Sequence, residues 1–160
     1  AEPSFTLLSL KGATVEVSPA EGDELTSLGW TSHEEALIDG NDNTSWLPYA
    51  RSSNTTFTIT ITLKEPMVVH GMRLAQSYYV GVDANKQALN PSNVYLTKSA
   101  NGSYYTFATN LEQTKLGNST GEVNYIPFAK AEKTRYVRIK VTTPIFFKDY
   151  QVSLAGIDLY

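Results

Sequence analysis

The residues best equipped for chemistry sit in one short run, 35–46, which reads EALIDGNDNTSW. Asp39, Asn41, Asp42, Asn43 and Thr44 place oxygen-bearing side chains around a turn at Gly40. Hard oxygens at that density suit calcium, which takes about 6–8 of them at roughly 2.3–2.6 Å, many from backbone carbonyls. No Glu follows at the spacing that would close an EF-hand loop. The plainer reading of the same residues is an Asx-rich turn that bonds its own backbone, and spacing leaves both open.

Groups able to catalyse are sparse. The chain has no Cys and two His, His33 and His70, which removes disulfide scaffolds, cysteine zinc sites and thiol chemistry. The run His33-Glu34-Glu35 lacks the second His four residues on that a helical zinc site needs. His70 falls inside the strand-like run 68–74 and reads as a tolerated strand residue. A glycosidase needs two carboxylates roughly 5–10 Å apart across a cleft. Asp39 and Asp42 are better used in the turn or on a metal, and Asp149 has no evident carboxylate partner. The expectation is a chain without enzyme activity of its own.

The elements that must position these residues are strands. Thr and ten Tyr favour them, and residues 55–63, TTFTITITL, alternate Phe57, Ile59, Ile61 and Leu63 on one face with Thr on the other. That period of two predicts a half-buried strand. Further strands are expected over 14–18, 67–75, 92–98, 104–108, 123–128, 135–142 and 153–160, punctuated by Pro66, Asn90-Pro91, Asn101-Gly102, Gly117-Asn118 and Pro144. Asn101-Gly102 predicts a hairpin turn, since both residues tolerate positive φ. Helical signal is confined to 33–38, where Gly40 stops it. The first connection, 19–53, is long enough to need holding down, and Trp30 and Trp46 are candidates for that packing.

About eight short strands in one domain over 1–160 predict an all-β antiparallel sandwich or jelly roll. With 41% hydrophobic and 18% charged residues the chain is globular, and no apolar run approaches the roughly 20 residues of a bilayer-spanning helix. A net charge of −3 and a pI near 5.4 lack the basic surplus of a duplex nucleic-acid binder. The chain starts at Ala1 without Met or an apolar leader, so it reads as a processed or excised piece of something longer.

Five motifs in order resemble one family. ALIDGNDNTSW at 36–46 resembles the A-x-DG-x-x-x-T-x-W signature of discoidin, or coagulation factor 5/8 type C, domains. Residues 57–63 followed by MVVHGMRL at 67–74 are similar to that family's adjacent strand pair. NVYLTKSANGS at 93–103 resembles its hairpin, with Tyr105 where a Trp is common; TRYVRIK at 134–140 and LAGIDLY at 154–160 resemble its last two strands. The likeness covers about residues 14–160.

The resemblance implies a galactose-binding-like jelly roll, and the nearest group is the bacterial family 32 carbohydrate-binding modules of secreted glycan-processing enzymes. A structural calcium ion would then sit on the carbonyls of Ala36, Asn41 and Ala155, the carboxylate of Asp39, and Thr44. A carboxylate normally follows that Ala in the last strand; here the residue is Gly156, so one charged ligand is missing and water or Asp42 would fill its place. Sugars would bind at the loops of one end of the sandwich. The loop after Trp46 offers Tyr49 and Arg51, with Leu47 where the family often has His. The loop 76–91 offers Tyr78, Tyr79, Asn85 and Lys86, and the loop 144–151 offers Phe146, Phe147, Lys148 and Tyr150. An aromatic ring covers the apolar face of a pyranose while polar groups bond its hydroxyls. Phe146 and Phe147 cannot both point inward from one strand, since neighbours face opposite sides.

The resulting expectation is a non-catalytic module that tethers a parent glycan-processing protein, outside the cytoplasm, to a glycan of galactose or N-acetylhexosamine type. The alternative is a protein- or cell-surface-interaction module of the same fold with no sugar ligand. Fold alone does not decide between them.

Overall fold

The computed structural model describes residues 6–18, 34–41, 46, 56–76, 93–109, 114–115, 122–142 and 154–160. Among these are seven strands: β1 (Thr14–Ser18), β2 (Thr56–Ala75), β3 (Asn93–Ser99), β4 (Thr106–Phe107), β5 (Thr114–Lys115), β6 (Val123–Thr142) and β7 (Gly156–Leu159). All pair antiparallel, in the order β1-β2-β6-β3-β4, with β5 on β3 and β7 on β2. One 3₁₀ turn, Glu34–Ile38, interrupts the β structure. No helix among the described residues is long and apolar enough to cross a membrane.

The period-two pattern of β2 does what it predicts. Phe57, Ile59, Ile61 and Leu63 are buried, and the Thr residues between them face outward. Val137, Ile139 and Val141 of β6 and Val94 and Leu96 of β3 join them in one contiguous core. Full burial of such side chains stabilises by about 1.5–3 kcal/mol each.

β2 and β6 are each 20 residues long, longer than the strands expected from the sequence. The runs expected as 55–63 and 67–75 fall in one strand from Thr56 to Ala75, and 123–128 and 135–142 likewise fall in one, so the expected breaks became bends. The register slips between Thr62 and Met67, where four β2 residues oppose Arg135 alone, and again between Val69 and Gly71, where β6 carries the excess. Pro66 lies in the first irregularity, where no ladder N–H is required of it; it was expected to end the strand. The bends fold the paired ribbon into two layers, a β-sandwich of jelly-roll type. The first half of β2 joins β1, β6, β3 and β4; the second half lies between β6 and β7.

Asn101-Gly102 does mark a hairpin, between β3 and β4, with a loop longer than two residues. Gly102 has φ +81°, and a Cβ there would stand 3.2 Å from the Tyr136 ring.

Gly71 is needed for space. Tyr160 bonds both sides of it, its N donating to the Gly71 carbonyl (3.1 Å) and its carbonyl accepting from Gly71 N (3.2 Å). A Cβ on Gly71 would run into the Tyr160 ring and stand 2.8 Å from the Ile126 carbonyl. Gly71→Ala is expected to destabilise the fold by about 1–3 kcal/mol through overpacking, read as a lower urea midpoint with unchanged slope.

Candidate functional site

Trp46, the last residue of the DGNDNTSW run, is fully buried and stands edge-on to Phe57, ring centroids 5.3 Å apart at 90°. Its N donates to the Leu154 carbonyl (2.8 Å) and its carbonyl accepts from Leu154 N (3.2 Å). One residue on, Ala155 N donates to the Ala75 carbonyl (2.9 Å). Trp46, through its backbone on one side and its indole on the other, therefore ties the last segment of the chain, and with it the end of β2 at Ala75, to the start of β2 at Phe57. Thr56 pairs with Thr142, and Tyr95 with Lys140, so the start of β3 and the end of β6 lie there too.

Six chain positions thus meet at one end of the sandwich: Trp46, Thr56, Gln76, Asn93, Thr142 and Leu154. The segments 47–55, 77–92 and 143–153 each leave the framework at one of them and rejoin it at another. Tyr49 and Arg51, then Tyr78, Tyr79 and Asn85, then Phe146, Phe147 and Tyr150 belong to those segments, and all eight lie outside the described residues. Trp30 and His33 lie outside them as well.

The oxygen-rich turn is partly described. Leu37, buried at 1% exposure, pins the 3₁₀ turn into the core, and the turn packs on β1 and β7. Gly40 follows with φ +72°. Asp39 Oδ1 accepts from Asn41 N at 2.9 Å, the Asx-turn bond expected of this run. A carboxylate has about four acceptor positions, so this bond does not exclude a cation. Ala36 lies in the turn and Ala155 leads into β7, against which the turn packs, while Thr44 lies outside the described residues. No group of three His, Cys, Asp or Glu that could hold a metal occurs among the described residues. The described part of the donor set that the resemblance implies, carbonyls plus the Asp39 carboxylate, is oxygen only, a chemistry that would suit calcium.

His70 is exposed at the second bend of β2, with its N donating to the Tyr160 carbonyl at 2.6 Å; it is a strand residue, as expected.

A cavity of about 310 Å³ opens at the opposite end of β3, where the sequence reading assigned nothing. Lys98 on its wall has a side chain only 4% exposed. Its Nζ donates to the Lys130 carbonyl (2.8 Å), pairs with Glu132 Oε1 (2.9 Å) and lies 5.6 Å from the Phe128 ring centroid. The hydrogen bond and charge of Lys98 hold the Glu132 carboxyl below its ordinary pKa. The signal was available: Val94, Leu96 and Lys98 occupy successive inward positions, and the third is an ammonium.

The fold is that of an antiparallel β-sandwich domain. The profile of the F5/8 type C domain matches residues 18–152, and the chain belongs to that family. Similar solved structures include CpGH89CBM32-5 from Clostridium perfringens, in complex with GalNAc-β-1,3-galactose, at 17% identity and TM-score 0.71, covering 97% of this chain and 99% of that one. The family 32 module from C. perfringens NanJ, in complex with galactose, has 15% identity and TM-score 0.68, with 96% and 97% covered. The C-terminal domain of a Bacteroides fragilis chitobiase has 18% identity and TM-score 0.71, with 97% of each chain covered. No curated protein matches the sequence significantly.

Because the Glu132 pKa is lowered by folding, its contribution to stability is present above the ordinary carboxylate pKa and lost as pH falls through the lowered one. Urea midpoints measured from neutral to acid pH should therefore fall more steeply for the native chain than for Glu132→Gln. Parallel acid limbs would show that the Lys98 contact does not shift this carboxyl.

Proposed function

We propose that this chain is a non-catalytic carbohydrate-binding module that attaches a parent glycan-processing protein, outside the cytoplasm, to glycans. The observation that carries this reading is the common anchoring of segments 47–55, 77–92 and 143–153 at the end of the sandwich tied by Trp46. Those segments hold Tyr49, Tyr78, Tyr79, Phe146, Phe147 and Tyr150 together with Arg51 and Asn85. Aromatic faces with donors and acceptors beside them suit pyranose rings. Membership of the F5/8 type C family supports the reading, as do structural neighbours in complex with galactose and GalNAc-β-1,3-galactose. The ligand class is accordingly a glycan ending in galactose or an N-acetylhexosamine. A shallow site binds few sugar atoms, so single-site affinity is weak and gains from multivalent display.

The turn at 36–44 holds a structural calcium ion in this reading. Ala36, Asn41 and Ala155 supply carbonyls, Asp39 its carboxylate and Thr44 an oxygen. With Gly156 in place of an acidic residue, water or Asp42 completes the shell. The ion fastens the first connection to the last strand and carries no chemistry on the ligand.

A glycan-array screen in calcium-containing buffer is expected to give a cluster of hits sharing one terminal sugar. Tyr49→Ala, Tyr78→Ala and Phe146→Ala should then each weaken binding by about fivefold to tenfold, the loss of one aromatic contact. A blank array from a folded sample would favour the protein-interaction alternative, with Leu47 the first suspect for a lost sugar site. Calcium at 100 times its Kd should stabilise the fold by about 2.7 kcal/mol. Its removal by chelator should lower the melting temperature, and Asp39→Ala should abolish that response.

A further inference from the structure

We propose that the cavity between the β3–β4 loop and the bend of β6 is a second sugar site, shaped for one neutral, monosaccharide-sized vicinal diol. It lies at the end of β3 away from the loop segments, and it stands or falls independently of them.

Lys98 is the starting point. It occupies an inward position on β3, where an apolar side chain would serve the fold at least as well, since a buried ion pair is weak evidence for stability. The position holds an ammonium on a side chain only 4% exposed, at the wall of an open cavity. One acceptor, the Lys130 carbonyl, lies in the stretch of β6 between Pro127 and Glu132 that has no partner on β2. The other is Glu132 Oε1. An ammonium has three N–H donors, so one remains beyond these two acceptors. Glu132 is 43% exposed at the same wall, and among the described residues its Oε2 has only a distant ammonium, Lys130 Nζ at 3.9 Å.

A fixed donor beside a fixed acceptor matches a pair of neighbouring hydroxyls, since each hydroxyl both donates and accepts. The loop opposite is held rigidly. Ser99 Oγ accepts from Asn101 N and Gly102 N (3.2 and 2.9 Å), and Asn101 Oδ1 accepts from Ser103 N and Tyr104 N (2.9 and 3.2 Å). This loop presents Tyr104, 74% exposed, as a flat apolar face at the cavity.

Charge and size narrow the ligand. Lys98 and Glu132 offset one another, so a neutral guest keeps the pair intact. Lys133 adds a second positive charge to the lining, which turns a cationic guest away, while an anionic guest would compete with Glu132 for Lys98 and break the pair. About 310 Å³ is at the lower end of the roughly 300–1,000 Å³ of small-ligand sites, which suits one sugar ring rather than a chain.

The test is an amide chemical-shift titration of the 160-residue chain. The probes are methyl β-galactoside, N-acetylglucosamine, glucuronate and inorganic phosphate, each raised to tens of millimolar. A neutral sugar should give saturable shifts at Asn101, Gly102, Tyr104 and Lys133, separate from any at Thr56, Gln76 or Thr142, which report the loop end. Tyr104→Ala should weaken the first set at least fivefold and leave the second unchanged. Lys98→Met, which keeps the apolar stem, should remove the first set. If that variant fails to fold, Tyr104→Ala alone decides. Absence of saturable shifts in the first set with both neutral sugars would overturn the proposal, as would a stronger response there to glucuronate or phosphate.

Discussion

Two strands of 20 residues can stay paired along their length and still enclose a core only by bending together, and the β2–β6 pair does so at two places. Each bend costs ladder hydrogen bonds and leaves residues without a cross-strand partner. In return, the inward faces of both halves of the ribbon meet. Ile59, Ile61, Ile139 and Val141 from one half share a core with Met72, Leu74, Ile126 and Phe128 from the other. Everything else hangs on that register. β1 and β3 extend the first layer, β7 completes the second, and the free ends of β2 come to lie near Trp46.

Trp46 turns that geometry into a platform. Its ring rests on Phe57 and its backbone holds Leu154, so residues from the two ends of β2 and from the last segment of the chain are locked to one another. Three segments rich in Tyr, Phe and polar residues start and finish on this platform. A binding site carried by loops is only as well defined as the points where they are anchored. The 3₁₀ turn Glu34–Ile38, which leads into the oxygen-rich run, packs on β7, so an ion held beside it would reinforce the same junction.

Much of this was legible in the sequence, for stated reasons. The alternation TTFTITITL could only be a one-sided strand, and Phe57, Ile59, Ile61 and Leu63 are buried as it requires. The length of the first connection made Trp46 a candidate for packing, and the Asx run produced the bond between Asp39 and Asn41. The length of β2 was misjudged because a Pro in a bulge and a Pro past a strand end look the same in one dimension. The role of Lys98 was missed because its acceptor is a backbone carbonyl, Lys130, and its counter-ion, Glu132, is 34 residues away in a stretch of β6 set by a register slip. Such partners become visible only when the strands are paired.

The claim at the centre of this account is that the end of the sandwich anchored by Trp46 and Leu154 receives a glycan. A crystal structure of the chain with the oligosaccharide that binds it best tests this most directly. The account predicts the terminal sugar in contact with aromatic residues of at least two of the segments 47–55, 77–92 and 143–153. A bound sugar that touches none of the three would contradict it.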